Sequence, residues 1–269
     1  MHGFDLIATD LDGTFLDNDQ RVPELNARAV RRAAELGIET VYATGRPTRW
    51  LGILRHLPET HGWAVAANGA VTLDLVEGRV VHSRHLPERI TAQIAAEIRD
   101  RLPNSIFAVE YVESWGAEPV YEAVSPHLEP THRGPVAELF AREHVVKLLV
   151  IDPTMPTEVL NEVVCQVVGD RLTVTFSYVS DIGMLEISAP GVSKALALAE
   201  LLADLGIPAA RMIAFGDMPN DLAMLGLAGQ GFAMAGAHPS LLTAGHPSAG
   251  DNNLGGVGRT ILRLLGEGS

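Results

Sequence analysis

The string Leu6-Ile7-Ala8-Thr9-Asp10-Leu11-Asp12-Gly13-Thr14 carries the fold assignment. An apolar run of buried-strand length passes directly into two carboxylates, a glycine and a threonine. In an open parallel sheet, ligands bind beyond the carboxyl ends of the strands, so acids placed there are candidates for chemistry. The neighbouring segments supply the rest of such a sheet. Val22, Leu25, Ala29, Ala33 and Leu36 recur at helical spacing and Gly37 ends that helix. Thr40-Val41-Tyr42-Ala43 reads as a second strand, Pro47 opens a helix carrying Trp50, Leu51 and Leu54, and Trp63-Ala64-Val65-Ala66-Ala67 is a third strand. A hairpin follows over residues 71–75 and 79–82, turning near Glu77-Gly78. Continuous apolar strands separated by helices predict a parallel sheet buried on both faces.

From residue 84 the texture changes. Ile90, Ile94 and Ile98 mark a helix, and residues 106–112 alternate like a strand with one exposed face. Residues 114–135, rich in Pro, Gly and His, read as a long irregular connection. Residues 145–151 form a strand, 156–168 a helix, and 172–178 with 184–188 a closing strand pair. After Gly191 the first pattern resumes. Leu198, Leu201, Leu202 and Leu205 share a helix face, Met212-Ile213-Ala214-Phe215 ends at Gly216-Asp217, Gly231-Phe232-Ala233-Met234 is another strand, and Val257, Ile261, Leu264 and Leu265 stripe a last helix. The fold class predicted is α/β: a Rossmann-like parallel-sheet core with helices on both faces, built from residues 1–83 and 188–269, plus an inserted α+β cap domain over 84–187. The hinges are expected near 82–87 and 187–191.

Composition narrows the function. The chain has 269 residues, 47% hydrophobic and 20% charged, which is ordinary for a globular protein. Lys and Arg number 20 against 33 Asp and Glu, a net charge of −13, so nucleic acid and anionic membrane are not expected as partners. The lone Cys165 forms no internal disulfide, which favours a reducing, cytoplasmic setting. Met1-His2-Gly3-Phe4-Asp5 has no basic stretch followed by an apolar run, so no secretory signal is expected. Cys165 is expected to be packed on its helix rather than reactive, and the ten histidines show no ligand spacing.

Four predicted strand ends or helix starts carry complementary polar groups: Asp10-x-Asp12, Thr44-Gly45-Arg46, Lys194, and Asp217 with Asn220-Asp221. Each alone has a plain structural reading. Asp10-x-Asp12 makes an Asx-type turn, Thr44-Gly45-Arg46 a common turn, Asp217 or Asn220 a helix cap, and Lys194 a surface lysine. A lysine at the positive end of a helix dipole is unfavourable, which tilts Lys194 towards binding an anion. The joint order of these groups is what points to a site. The glycines of 226–236 and 255–258 do not fit Gly-x-Gly-x-x-Gly, so dinucleotide binding is unsupported.

Asp10-Leu11-Asp12-Gly13-Thr14, followed in order by Thr44, Lys194 and Gly216-Asp217-x-x-Asn220-Asp221, resembles the four motifs of the haloacid dehalogenase (HAD) superfamily over essentially the whole chain. The large insert, Asn68-Gly69-Ala70, and the stretches Leu185-Glu186-Ile187 and Gly191-Val192-Ser193-Lys194 resemble its Cof-like phosphatase subgroup with a type 2 cap. Ala195 stands where many relatives carry Gly, and Met218-Pro219 lies inside the fourth motif. The resemblance implies a Mg²⁺-dependent phosphatase of small phosphorylated metabolites, sugar phosphates foremost. It implies Asp10 as nucleophile forming an aspartyl-phosphate, and Asp12 as acid and then base. Thr44 and Lys194 would act on the phosphoryl group. Leu11, Asp12 and Gly45 would lie around the phosphate, with Asn220 contacting it or ordering the acidic loop. Asp10, Asp217 and the Asp12 backbone carbonyl would hold the metal, with Asp221 ligating directly or through water. Arg46 is read equally as a substrate contact and as a salt bridge at the seam between core and cap. Tyr111, Trp115, Tyr121, His132 and Glu186 are candidates for contacting substrate from the cap. The expected partner is a small phosphomonoester, and the chain a monomer or weak homo-oligomer. A phosphomutase or phosphotransferase using the same residues, a non-catalytic phospho-sensor and a vestigial site remain the alternatives.

Overall fold

The computed structural model describes residues 3–56, 62–125 and 127–267, so Met1 and His2, in the stretch read as carrying no secretory signal, lie outside the described residues. The chain divides into two compact units. Unit 1 comprises Met1–Arg46, Trp50–His82 and Ser193–Ser269, and unit 2 comprises Pro47–Arg49 and Ser83–Val192. The return to unit 1 comes later than residue 188, because the chain stays tied to a unit 2 strand: Gly191 donates its backbone N–H to Thr173 Oγ1 at 2.9 Å.

In unit 1 the apolar runs become β1 (Leu6–Thr9), β2 (Glu39–Ala43), β3 (Gly62–Ala66), β4 (Val71–Asp74) and β5 (Arg79–Ser83). The chain's last third adds β12 (Met212–Gly216), β13 (Gln230–Met234) and β14 (Ser248–Gly250). Their order is β14-β13-β12-β1-β2-β3-β4-β5. Pairing is parallel from β14 through β3, and β4 lies antiparallel to β3. Helices α5 (Lys194–Leu205), α6 (Leu222–Leu227) and α7 (Pro239–Thr243) bury Ala197, Leu198, Leu201, Leu225 and Leu241 in one cluster with Leu6, Ala8, Val41, Ala43 and Val65. The alternate residues Ile7, Tyr42 and Phe215 are fully buried too, because α1 (Glu24–Glu35) and α8 (Gly256–Leu264) supply the second helical layer. The α/β class and the parallel core follow from this burial on both faces.

Unit 2 is built on a sheet of β6 (Ile106–Glu110), β7 (Trp115–Ala117), β8 (His132–Arg133), β9 (Lys147–Asp152), β10 (Thr173–Thr175) and β11 (Gly183–Ser188), ordered β10-β11-β9-β6-β7-β8. One face packs Phe107, Val109, Leu148, Val150, Leu185 and Ile187 under α2 (Glu88–Arg101), α3 (Val136–Phe140) and α4 (Thr157–Val168), which contribute Ile94, Ile98, Leu139, Leu160 and Val164.

Four expectations need correction. The helix expected after Pro47 is a 3₁₀ coil over Thr48–His56, with Gly52 inside it weakening α-helix formation. Strand β6 has no exposed face: Ile106 and Ala108 are buried with Trp115, Tyr121 and Leu149 on the side away from the helices. The connection over 114–135 is not wholly irregular, since the sheet takes β7 and β8 from it. Cys165 is exposed, because the buried stripe of α4 runs through Leu160, Val164 and Val168 and leaves it one step round the helix.

Candidate active site

The carboxylates at the end of β1 sit in a wide turn over Leu11–Phe15, closed by bonds from Phe15 N to Asp10 O and from Leu16 N to Leu11 O. Gly13 is required there. Its φ is +75°, and a Cβ would stand 2.4 Å from Asp217 Oδ2, so the two acidic loops touch through this glycine. Thr14 then donates its hydroxyl to Asp217 Oδ1 at 3.0 Å.

Lys194, the first residue of α5, follows the cap Ser193, whose hydroxyl accepts from Leu196 N. Its ammonium is buried and donates to Asp10 Oδ1 at 2.6 Å and to Asp221 Oδ1 at 2.7 Å. The other Asp221 oxygen accepts from the backbone N–H groups of Asp217 and Met218, both at 3.1 Å. Asp221 is therefore the buried brace of the loop after β12, and Asp217 is the acid which that loop presents.

These carboxylates crowd one another. Burial pushes Asp10 well above the usual carboxylate range; Lys194 opposes this, while Asp221, Asp217 and Asp12 add to it. Asp217 is pushed up to about 7, first by burial and then by Asp221, against the pull of Thr14 and Lys194. Burial works against the Lys194 charge, but Asp10 and Asp221 outweigh it and raise its pKa.

Oxygen atoms of Asp10, Asp217 and Asp221 lie within 4.8 Å of one another. Three carboxylates sharing one ammonium leave excess negative charge, and the donor set contains oxygen only. That chemistry fits a hard divalent cation such as Mg²⁺ and not a soft metal.

The second group of expected residues lies beside the first in unit 1. Thr44 is fully buried, and its Oγ1 accepts from Arg46 N at 3.0 Å, which leaves the hydroxyl proton to donate. Arg46 grips Asp12 within the same unit through Nε at 2.7 Å and Nη2 at 2.6 Å. Gly45 lies between Thr44 and Arg46, and the Leu11 side chain is fully buried, so only its backbone can meet a ligand. Asn220 donates to Asn68 Oδ1 at 3.0 Å. Sequence reasoning left Thr14 without a role, although it closes the five-residue string. It missed Gln20 altogether, and no local signal marks that residue.

Of the candidates in the inserted segment, Tyr111 is buried and donates to Leu139 O at 2.7 Å, Trp115 packs edge-on to Tyr121, His132 Nε2 lies 3.2 Å from Glu143 Oε1, and Glu186 forms a buried ion pair with Lys147.

The sequence profile of the haloacid dehalogenase-like hydrolases matches residues 7–261. The chain is 29% identical over 238 residues to the 5-amino-6-(5-phospho-D-ribitylamino)uracil phosphatase YcsE of Bacillus subtilis (strain 168), a match covering 86% of this chain and 84% of that one. It is 28% identical over 257 residues to the HMP-PP phosphatase of Klebsiella pneumoniae (strain 342), covering 88% and 86%. Among solved structures, SMU.1108c from Streptococcus mutans UA159 shares 25% identity at a TM-score of 0.85, covering 98% of this chain and 99% of that one. The HAD subclass IIB sugar phosphatase BT4131 shares the fold, at a TM-score of 0.83 and 19% identity, covering 97% and 99%.

Proposed function

The chain belongs to the haloacid dehalogenase-like hydrolase family and is an HAD-type phosphatase, and we propose that unit 1 is its catalytic core, hydrolysing small phosphomonoesters, sugar phosphates foremost, with Mg²⁺ and through an aspartyl-phosphate on Asp10. Unit 2 is the inserted cap in this reading. The observation that carries it is the Lys194 ammonium joining Asp10 to Asp221, with Asp217 alongside, from three separate stretches of chain. The relatives named for a phosphoribityl compound and for HMP-PP, and the sugar phosphatase of the same fold, support a small phosphorylated metabolite as substrate.

A phosphate dianion repels an attacking carboxylate, so the barrier is lowered by positioning and by positive charge. When bound, Mg²⁺ supplies that charge; Asp10, Asp217 and the Asp12 carbonyl would hold it, with Asp221 behind them. Lys194 fixes one Asp10 oxygen and leaves the other for attack on phosphorus. As that oxygen bonds to phosphorus, the ester P–O bond breaks and Asp12 gives a proton to the departing alcohol. Water then attacks phosphorus, Asp12 takes its proton, and the Asp10–phosphorus bond breaks to release phosphate. Acid–base help of this kind is worth about 10²–10⁴-fold. Thr44 donates its hydroxyl to a phosphoryl oxygen, and Asn220 orders the acidic loop against Asn68.

The test is release of inorganic phosphate from a panel of sugar phosphates, nucleotides and phosphorylated cofactors with Mg²⁺. Turnover that EDTA stops and Mg²⁺ restores is the expected result. Phosphoryl transfer to a second acceptor without free phosphate would favour the mutase reading. A stable acyl-phosphate without turnover would favour a phospho-sensor, and turnover insensitive to EDTA would overturn the metal assignment.

A further inference from the structure

The Asp12 carboxylate is not loose in the site. Both of its oxygens accept from the Arg46 guanidinium, and the same Nη2 also donates to the Gln20 side-chain oxygen. Gln20 is held in turn. Its φ is +61°, uncommon for a side-chain-bearing residue, in a turn that Asp17 ties together. Asp17 Oδ1 accepts from Asp19 N and Arg21 N at 2.9 and 2.8 Å, and Asp17 O accepts from Gln20 N at 3.0 Å. A chain of contacts thus runs from a braced loop through Gln20 and Arg46 to the group assigned to proton transfer.

Resting on the phosphatase reading above, we propose that Arg46 is a positioning residue for Asp12 and that Gln20 positions Arg46. The guanidinium is a rigid planar fork, so two bonds to one carboxylate fix the carboxylate plane as well as its place. A carboxylate has about four lone-pair sites. The fork takes one on each oxygen and leaves others along which a proton can pass to the leaving alcohol. Losing the fork frees the carboxylate to rotate, and the cost falls on the step that needs its direction.

That step can be isolated by the leaving group. kcat/KM covers only events up to departure of the alcohol, so water attack does not enter it. An alkyl phosphate such as glycerol phosphate needs a proton on its departing oxygen, whereas 4-nitrophenyl phosphate releases a stable phenolate without one. We expect Arg46→Ala to lower kcat/KM for the alkyl ester by about 10–100-fold, within the range of acid–base help, and for 4-nitrophenyl phosphate by less than about 3-fold. Arg46→Lys should not rescue it, because an ammonium offers no fork. Gln20→Gly removes the brace at a φ that glycine adopts freely, and should give the same selective loss in smaller measure. Equal losses on both esters, or a rise in KM alone, would make Arg46 a phosphate contact and overturn the inference. No loss, or a gain on the alkyl ester, would overturn it as well. Failure of the unaltered enzyme to hydrolyse either ester would overturn the phosphatase reading itself, and this inference with it.

Discussion

Asp10 is held by opposing demands. Its burial and its three acidic neighbours favour the proton, while Lys194 favours the charge. The proposed attack needs the charged form, and the ammonium at 2.6 Å is the neighbour that favours it. Asp10→Asn keeps the shape, removes one of the crowded charges and leaves Lys194 paired with Asp221. We expect it to lower phosphatase turnover by ~10⁵-fold or more, the scale seen when a covalent nucleophile is lost, with no fall in the melting temperature. Residual turnover near that of the unaltered enzyme would remove Asp10 from the nucleophile role. At this scale the sequence was most legible for Asp10, Asp12, Lys194 and Asp217, because each residue type lies at a strand end or helix start. It was silent on Gln20, whose importance comes from a neighbour in space and from a backbone angle that no spacing announces.

Helix α5 brings Lys194 into the site, and its start is pinned from outside. Gly69, in the turn after β3, has a φ of +103°, and a Cβ there would lie 2.2 Å from the Ser193 carbonyl oxygen. Gly69→Ala therefore combines backbone strain with a collision at the residue that caps α5. The strain alone is of order 1–3 kcal/mol, and the collision should displace Lys194. We expect stability loss by chemical denaturation together with a fall in kcat. Gly78→Ala, at φ +64° with nothing within 4 Å, should show a stability cost without the kcat effect. Equal kcat values for the two variants would count against the coupling of Gly69 to Lys194. Helices such as α1 and α8 were readable from periodicity, and strands such as β1 from an unbroken apolar run. The six-residue α6 and the three-residue β7 and β14 were not, and they form because a neighbouring strand or helix offers a partner.

The site's electrostatics also reach the stability of the whole chain. Asp217 titrates near 7 in the folded protein against an ordinary value of 3.8, so the folded state holds that proton more tightly. Its stabilising contribution is complete below about pH 4, the unfolded range for Asp, and is lost as pH rises through about 7. Asp10, shifted the same way, adds to the effect. Metal-free protein should therefore melt at a lower temperature at pH 8 than at pH 5. Mg²⁺ bound as proposed would replace the proton as counter-charge, so it should stabilise more at pH 8, by about 2.7 kcal/mol at a hundredfold excess over Kd. Calorimetry at both pH values with and without Mg²⁺ checks this, and an equal or smaller Mg²⁺ shift at pH 8 would contradict the assignment of these acids to a cation.

The order of residue types along the chain was enough to establish an α/β protein with a parallel core, an interrupting α+β segment, and acids placed where such cores do chemistry. Burial imposes periodicity on strands and helices, and periodicity is local. The pairing of side chains was not written there. Lys194 meets Asp10 across 184 positions, and Arg46 meets Asp12 across 34. Such contacts arise when separate strands are laid side by side, and the charge that each carboxylate carries follows from which neighbours it then has.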